Sequence, residues 1–408
     1  MRLGILAAAA VAAMCLAPAC KKDGGNGNGK EEVEVFVANR LSINDADPVT
    51  YETGHLGELL SGKSVIALKW TDISRMNAAD VMALKSAKAS LVNVDMAKVR
   101  FVEDETTYEG YSSKNEHVKP DVLPQSILDG FKNLKTAVLP EKVLGLGSCS
   151  LSYCEALVSC ILPPKLEYMD RYCFSHCKAL KSITLPDTFK EMKQDSNFQY
   201  CSALESFSFP DATTGPGSTT LLNCTSLKSL HYGARCPSSK ILPSIALGCS
   251  NLETLTVSKD NKNVVSEDDV LLSADKKTLL FQPYACPDGN YIVKGYPTVN
   301  VYLWNNSGYT SIAFAEGVEK INYTLFRCAN VTKITLPSTV RELRQGELAP
   351  SGFTALRTLE VRSTTPPTID TNLLGGLAME EIRVPASAVD AYKADSHWGM
   401  HASKIKAI

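Results

Sequence analysis

Beyond residue 19 the sequence lacks any long hydrophobic run, and no later stretch approaches the roughly 18 apolar residues that a membrane-spanning helix needs. It also lacks an excess of charge of either sign. The 42 basic and 44 acidic residues give a formal charge of -2, with no basic stripe of the kind that neutralises nucleic-acid phosphates. We therefore predict no nucleic-acid partner and no transmembrane helix after the N-terminus.

Motifs for catalysis and nucleotide binding are missing as well. The chain contains no Gly-x-Ser-x-Gly elbow, Walker loop, dinucleotide-binding glycine cluster or His-Glu-x-x-His sequence. The paired acids Asp268-Asp269 and Glu380-Glu381 are sequence neighbours, so at least one member of each pair should face solvent. This arrangement favours solvated charge over acid/base catalysis, and we expect neither an enzyme nor a cofactor.

A metal site is not predicted either. His176 lies close to Cys173 and Cys177, but all three residues come from one loop. No second Cys-x-x-Cys or His-x-x-x-His sequence supplies the remaining ligands of a tetrahedral zinc site. A surface histidine is the simpler interpretation.

The N-terminus carries an export signal. Arg2 is followed by an apolar, alanine-rich run to Leu16 and then by Ala-Pro-Ala-Cys20. This pattern is typical of a secretory signal, and its end resembles a bacterial lipobox, in which the cysteine becomes the acylated first residue. We predict residues 1–19 as a lipoprotein signal peptide and Cys20 as the lipid attachment site. Soluble secretion with an incidental cysteine is the alternative.

Residues 20–32 are predicted to be a flexible tether. They are polar and glycine-rich, and they lack the large apolar side chains needed to bury a core. The charged residues directly after Cys20 also resemble the surface-export signals of Bacteroidetes lipoproteins. That resemblance implies an extracytoplasmic protein at the cell surface, which contacts the outer membrane through its N-terminal lipid only.

The rest of the chain is dominated by one short repeated phrase. A clear copy is Phe174-Ser-His-Cys177-Lys-Ala-Leu180-Lys-Ser-Ile183-Thr-Leu185-Pro186, in which an alternating strand ends in proline. A spacing of 23 to 25 residues is typical of stacked units that bury their apolar faces against their neighbours. The sequence therefore predicts a solenoid. The repeated leucines are Leu134, Leu157, Leu180, Leu204, Leu227 and Leu252.

Other segments flank or interrupt these repeats. Asn77 is a predicted N-cap for a helix over 78–88, whose apolar face would consist of Val81, Met82 and Leu84. Short strands are predicted over 33–37, 64–70 and 91–96, a hairpin over 270–281, and a short helix followed by Trp398 as an aromatic plug at the C-terminus. The predicted divisions are an N-terminal cap at 33–120, repeats at 121–260, a β-hairpin insert at 261–294, repeats at 295–385 and a C-terminal cap at 386–408.

The phrase Phe-x-x-Cys-x-x-Leu-x-x-Ile-x-Leu-Pro, with a following Val-x-x-Ile, resembles the BspA-like leucine-rich repeat family of bacterial surface proteins. The segments from Asp268 to Leu280 and from Val384 to Trp398 look like the insert and the terminal unit of that family. The resemblance covers roughly residues 60–408. It implies a leucine-rich repeat solenoid, mainly β with short turns and few helices, and a surface binding or adhesion role.

Thirteen cysteines in an exported chain first suggest disulfides. Six of them, however, stand three residues before a key apolar position, so stacking should bury them as a ladder of free thiols. Parallel neighbouring side chains rarely reach the dihedral of about 90° that a disulfide needs. The predicted ladder is Cys154, Cys177, Cys201, Cys224, Cys249 and Cys328. The disulfide state of Cys149, Cys160, Cys173, Cys236 and Cys286 is left open.

The outward side of the repeat strands is the candidate binding face. If Leu180, Ile183 and Leu185 point inward, the residues that alternate with them point outward. They are mainly small hydroxyl residues, with few charges and no aromatic row on which a glycan could stack. The predicted face comprises Ser182, Thr184, Ser206, Ser208, Ser229, His231, Thr254, Thr256, Lys333, Thr335, Thr358 and Glu360.

This face favours a macromolecular ligand, and a protein in particular, although plain solvation explains the same residues. The sequence as a whole predicts a cell-surface lipoprotein whose solenoid acts as a protein-binding or adhesion module. The alternatives are a structural or scaffolding role in the cell envelope and a polysaccharide-binding surface component.

Overall fold

Most of the chain is wound as a solenoid of short strands with few helices. The computed structural model describes residues 40–241, 243–286, 288–300, 303–304, 308–322, 325–326, 328–344, 353–369, 374 and 379–408. Within these residues, the mainly β leucine-rich repeat solenoid predicted from the sequence is confirmed. The predicted signal peptide, Cys20, the predicted tether and the predicted strand over 33–37 lie outside the described residues.

The leucine-bearing segments form a first stack of strands, which the described residues divide into three sheets. Pairing is parallel throughout, except where the first strand pairs with the second and the third. The first sheet contains Arg40–Ile43, Val49–Thr50, Ala67–Trp70, Asn93–Asp95, Thr136–Val138 and Ser159–Ile161. The second contains Ser206–Ser208, Ser229–Tyr232 and Thr254–Val257. The third contains Asn290–Val293, Ser311–Phe314, Lys333–Leu336, Thr358–Val361, Glu381–Val384 and Ile405–Ala407.

A second stack of short strands is formed by the segments that come, in most repeats, a few residues after the proline at the end of the first strand. Proline closes a turn because its carbonyl accepts from the residue three positions on, as in Leu166 N–H to Pro163 at 3.1 Å. Its sheets contain Ser74–Met76 and Val99–Phe101; Val122–Leu123, Gly145–Leu146, Tyr168–Met169 and Glu191–Met192; and Val264–Glu267, Val270–Ser273, Thr278–Phe281, Thr298–Asn300, Lys320–Asn322, Glu342–Arg344 and Thr368–Ile369. Leu303–Trp304 and Leu325–Phe326 form a separate pair.

The core is built from the repeated apolar positions. The six predicted leucines, from Leu134 to Leu252, are fully buried. Each backbone N–H closes a tight turn onto the carbonyl three residues earlier, as in Leu180 to Cys177 at 3.1 Å. Neighbouring repeats also stack their aromatic residues, since the Phe174 and Phe198 rings lie 5.2 Å apart and nearly parallel. Burial between repeats, rather than within one repeat, therefore holds the stack together.

Buried thiols run along this core. The six cysteines of the predicted ladder are all buried. None of the eleven cysteines in the described part of the chain forms a disulfide. Five thiols donate to carbonyls of the preceding repeat, among them Cys177 to Leu151 at 3.3 Å and Cys201 to Phe174 at 3.1 Å. Burial raises the pKa of the Cys177 thiol well above its usual range, so this thiol stays protonated and able to donate.

The predicted helix near the N-terminus is confirmed as Ala78–Ser86, followed by a 3-10 turn at Ala87–Ala89. Asn77 caps it, and Asp80 completes a reciprocal capping box. The buried Asp80 carboxylate also accepts from Tyr51 and from the N-terminal turn of a short helix at Leu56–Leu60. Val81 and Leu84 face the core as expected, but the prediction for Met82 is wrong: it is exposed because, at about 100° per residue, it points away from the side of the helix that carries those two residues.

The predicted hairpin over 270–281 is present as the antiparallel strands Val270–Ser273 and Thr278–Phe281. A third strand, Val264–Glu267, precedes it through a turn in which Asp268 and Asp269 are both left-handed and both exposed. That turn geometry matches the twist of the strands it joins. Thr278–Phe281 then pairs in parallel with Thr298–Asn300, so the hairpin is continuous with the second stack.

The C-terminal residues pack onto the last described repeats. The predicted short helix is Val389–Ala394, preceded by a 3-10 turn at Ala386–Ala388 and followed by another at Trp398–Lys404. Further 3-10 turns lie at Ser238–Lys240 and Pro243–Ala246. Tyr392 and Trp398 are buried against each other, and the Trp398 indole donates to Pro367 at 2.8 Å. The Tyr392 hydroxyl likewise donates to Ser363 at 3.0 Å, so both aromatic residues are attached to the loop that follows Thr358–Val361.

Replacing Cys201 with alanine should lower the free energy of unfolding by about 1–3 kcal/mol, because the change leaves a small cavity and removes the donor to the Phe174 carbonyl. Urea denaturation with size-exclusion chromatography should show this loss with an unchanged oligomeric state. Cys286→Ala is the control, because that residue is only half-buried at the margin of the core and its thiol donates to the surface Asp288 rather than to a buried carbonyl. Mass mapping that finds Cys201 bridged to Cys177 or Cys224 would show the free-thiol ladder to be wrong.

Deleting residues 367–408 tests the predicted C-terminal cap. Loss of Tyr392 and Trp398 should expose the apolar side of the preceding strands, and the truncated chain should aggregate. A chain that lacks only the exposed Ile408 serves as the control and should stay soluble. A truncated chain that is monomeric and melts cooperatively in size-exclusion and thermal-unfolding experiments contradicts the cap assignment.

Candidate functional site

The middle of the first stack presents the predicted hydroxyl face. Ser206, Ser229 and Thr254 lie in one row across three paired strands, and Ser208, His231 and Thr256 lie in the next row. All six residues are exposed or half-buried. His231 and Thr256 are 2.9 Å apart through Nδ1 and Oγ1, and partial burial lowers the pKa of His231. The imidazole is therefore held neutral as part of a polar surface without net charge.

The predicted strand containing Ser182 and Thr184 is not formed. Both side chains are exposed, as expected, but residues 182–185 belong to no sheet. Within the described residues, their backbone N–H and C=O groups make no backbone hydrogen bond. The first stack is consequently interrupted between Ser159–Ile161 and Ser206–Ser208, and the main-chain groups of the exposed Ser182 and Thr184 lack backbone partners there.

The C-terminal part of the predicted face carries more charged side chains than the sequence analysis expected, and they form ion pairs. Lys333 lies 2.6 Å and Arg362 lies 2.9 Å from the carboxylate of Glu360, which is only 7% exposed. Burial opposes ionisation, but hydrogen bonds and charge from these two cations hold the pKa of Glu360 below its usual value. Thr335 is also buried, and Thr358 donates to Glu381 at 3.1 Å. Cross-strand pairing therefore occupies this half of the face.

Two aliphatic side chains interrupt the polar surface beside the break. Val158 is 49% exposed and Ile161 is 59% exposed, and Ile161 lies in register with the half-buried Val138. Ile161 takes an outward position at which the next four repeats carry Thr184, Ser208, His231 and Thr256, and at which the first strand of the third sheet again exposes an isoleucine, Ile292. Singly exposed aliphatic residues are common on protein surfaces, so these two add apolar area at the edge of the polar face without by themselves marking a contact site.

An aromatic row, which the sequence analysis missed, lies at the corner before each strand. The rings of Tyr153 and His176 stack at 4.3 Å, and those of His176 and Tyr200 stack at 4.6 Å. Tyr153 is 45% exposed and Tyr200 is 40% exposed, whereas burial lowers the pKa of His176 between them. We call Tyr153, His176 and Tyr200 the aromatic ridge. The sequence does contain a signal for this row: the three aromatic residues are 23 and 24 residues apart, and each directly precedes a cysteine of the ladder.

The ridge residues have left-handed backbone, with φ between +56° and +62°. This geometry points each N–H at the next repeat, as in Tyr153 to Ser175 at 2.7 Å and His176 to Gln199 at 2.8 Å. Neighbouring repeats fill the same corner with residues that suit it better: Gly130, Asn223 and Gly248. A left-handed bulky residue costs on the order of 1–2 kcal/mol, and a stacked pair contributes about 0.5–1.5 kcal/mol. Burial of ring surface adds to the stacking contribution, so ring contacts offset a backbone cost that glycine or asparagine at this corner would not incur.

A polar cleft of about 140 Å³ lies where the loop over 103–120 crosses the second stack. Its wall includes Tyr168, whose ring covers the bare backbone of Gly145, and Lys193, whose ammonium lies 3.2 Å from the centre of that ring. Burial raises the pKa of Asp170, although Lys193 and Lys119 oppose that shift. The cleft thus combines one aromatic ring with closely spaced opposite charges.

The described residues provide neither a metal-binding cluster nor a membrane-spanning helix. No group of three or more His, Cys, Asp or Glu side chains that could hold a metal ion occurs in the described ranges. The Cys173 and Cys177 thiols point into the core, whereas His176 lies in the outward ridge, so these three side chains do not converge. None of the described helices has the length and apolar character to cross a membrane.

Comparison with known proteins identifies the repeat. The profile of the family described as BspA type leucine rich repeat region matches in six copies, over residues 122–253 and 291–391. These matches cover more than half of the 408 residues. No curated protein matches the chain.

Several solved structures are similar. A leucine-rich repeat protein from Eubacterium ventriosum is 17% identical, with 84% of this chain and 79% of that chain covered and a TM-score of 0.40. A leucine rich cell surface protein from Faecalibacterium prausnitzii is 16% identical, with 71% and 90% covered and a TM-score of 0.37. A leucine rich repeat protein from T. pallidum is 22% identical, with a TM-score of 0.29. That alignment covers 33% of this chain and 60% of the T. pallidum protein.

Proposed function

The chain belongs to the BspA-type leucine-rich repeat family, and from this premise we propose that it is a cell-surface lipoprotein whose solenoid binds a protein ligand or acts as an adhesion module. The observation that carries the proposal is the difference between the two halves of the strand face. The rows from Ser206 to Thr256 are accessible and carry no ion pairs, whereas charges around Glu360 pair with one another. We assign ligand binding to the accessible half.

Several physical features support a protein ligand there. Small hydroxyl side chains donate and accept hydrogen bonds, and little side-chain entropy is lost when they become ordered. The neutral His231 and the exposed Val158 and Ile161 add apolar area beside them. A polar rim next to a few apolar residues is the usual composition of a non-obligate protein interface. Parallel strands repeat these groups at even intervals and so extend the surface across several repeats.

The proposed lipid at Cys20 would set where this surface works. The tether over 20–32 is glycine-rich, and a flexible chain of that length has an end-to-end distance of roughly 20 Å. The solenoid would therefore stay close to the membrane surface but would be free to reorient toward a partner. A scaffolding role in the envelope needs no exposure on the cell surface, which makes accessibility on intact cells the discriminating observation.

Replacing Cys20 with serine should abolish incorporation of an alkyne-tagged fatty acid and release the protein from the membrane fraction. Cys15→Ser, within the predicted signal peptide, is the matched control and should retain the label. On intact cells, the wild-type protein should be cleaved by added proteinase K. Full protection on intact cells, with cleavage after lysis, contradicts the adhesion proposal and supports the scaffolding alternative.

The strand face is tested by Ser208→Arg combined with Thr256→Arg, which places two bulky cations among the hydroxyl rows. We expect this double variant to lose roughly tenfold or more of the affinity of the mature chain for its ligands on an array of purified extracellular proteins. Ser311→Arg is the matched control, because Ser311 lies on the outward side of the third sheet. Unchanged binding by the double variant places the ligand elsewhere. Binding to arrayed polysaccharides alone favours the glycan alternative.

A further inference from the structure

Three independent irregularities fall in the same three consecutive repeats. Residues 151–161, 174–185 and 198–201 carry the aromatic ridge, the exposed Val158 and Ile161, and the break at 182–185. We infer that these features form one docking patch for an acidic polypeptide segment of a protein partner. This inference rests on the proposed function and deepens it, because it names the repeats that make the contact and the chemistry of what they bind.

The ridge supplies a rigid anchor for such a partner. The Ser175 hydroxyl lies 2.8 Å from Nδ1 of His176 and accepts from the Gln199 amide at 3.0 Å, so one edge of the central ring is held by a hydrogen-bonded chain. The outer rings, Tyr153 and Tyr200, stack against it. An ordered tyrosine pair loses little entropy when a partner binds, which is why tyrosine is enriched in protein contact sites. The repeats on either side have Gly130 and Asn223 at the equivalent corner and fold without an aromatic ring there, which indicates that folding does not require these rings.

The exposed parts of the ridge favour a polypeptide over a glycan. Both faces of His176 and one face of each tyrosine are covered by stacking, with interplanar angles of 15° and 26°. A sugar ring would stack on an open aromatic face, and stacking leaves at most the outer face of each terminal tyrosine for that, whereas the ridge as a whole presents ring edges and phenolic hydroxyl groups. Ring edges and hydroxyl groups suit carboxylates, backbone carbonyls and the faces of a partner's aromatic side chains. At the break, the free main-chain groups add donors and acceptors of the same kind.

Charge beside the ridge favours an acidic partner. Glu155 bridges Lys132 at 3.7 Å and Lys178 at 3.0 Å, so one carboxylate faces two ammonium groups. The Lys88 ammonium packs against the backbone of Gly130, at the corner one repeat before Tyr153. A Cβ at position 130 would lie 2.5 Å from this ammonium. Asp129 is half-buried nearby and interacts with both Lys88 and Lys85, and Lys85 also interacts with Glu109. Four lysines therefore face three carboxylates, a surplus of one cation. A surface with surplus cations and hydroxyl donors is complementary to carboxylates.

The test is selection of a phage-displayed random 12-residue peptide library on the immobilised mature chain. Wild type should enrich peptides that combine Asp or Glu with an aromatic residue. Tyr153→Asn with Tyr200→Asn should weaken binding of a synthetic copy of the enriched peptide by roughly tenfold or more. Its melting temperature should be unchanged or higher, because asparagine suits the left-handed corner. Tyr111→Asn, at an equally exposed tyrosine in the loop over 103–120, is the matched control and should bind as wild type.

The melting temperature and the peptide affinity of the double variant together distinguish a ridge that stabilises the fold from a ridge that binds a partner. A melting temperature that falls by several degrees in the double variant overturns the inference, since the rings would then be needed for stability. Equal peptide binding by wild type and double variant also overturns it, as does selective binding of wild type to a glycan array. A wild-type dimer that the double variant converts to a monomer assigns the ridge to self-association instead. Tyr153→Phe with Tyr200→Phe keeps the stack and removes only the hydroxyl groups, so it gives a binding measurement even if the asparagine variant does not fold.

These results are separable from those for the strand face. Loss of peptide binding in the ridge variant, with retained binding in the Ser208→Arg and Thr256→Arg variant, supports the docking patch and moves the ligand contact off the hydroxyl rows. The opposite result overturns the docking patch and leaves the proposed function intact. Retained binding in both variants contradicts both assignments.

Discussion

Register between repeats is the constraint on which the rest of this structure depends. Each unit must place its leucine, its large apolar residue and its cysteine directly against those of the next unit, because one repeat alone has no core. Contacts run in both directions along the stack. Corner N–H groups, such as that of Tyr153, donate forward to the following repeat, and ladder thiols, such as that of Cys177, donate back to the preceding one. A repeat that shifted by one residue would lose both contacts and turn its leucine toward solvent.

This constraint sorts the residues into those available for recognition and those that are not. Leucine, phenylalanine, cysteine and the strand-ending proline are committed to the stack. Outward strand residues and corner residues are free to vary, and they differ along the chain. Around Glu360 they pair with one another, between Ser206 and Thr256 they leave an open hydroxyl surface, and at Tyr153 and Tyr200 they present aromatic edges. Recognition is therefore best sought where the free positions depart from the pattern of their neighbours.

Periodicity made the core predictable and left much of the surface out of reach. The burial of Leu180, the cap at Asn77 and the hairpin over 270–281 follow from patterns within a few residues. The burial of Glu360 depends on Lys333, a full repeat away, and on how closely two strands pair. The ridge depends on a left-handed corner that stacks side chains 23 residues apart. The break at 182–185 interrupts a segment whose sequence matches the repeat well, so no local pattern signals it.

The central claim is that a continuous row of buried thiols marks repeats held in a single register. Alkylation with iodoacetamide, followed by mass mapping of each cysteine, tests it directly in the native protein. The account predicts that Cys154, Cys177, Cys201, Cys224 and Cys249 react at least about 100-fold more slowly in the folded chain than Cys286 does, and that all six react at similar rates in urea. Cys286 is itself slowed in the folded chain, because burial and Asp288 raise the pKa of its thiol to about 11, so the comparison is made within the folded protein. Native-state alkylation of the ladder cysteines at the rate of Cys286 would contradict the stacked register from which both proposed binding surfaces are derived.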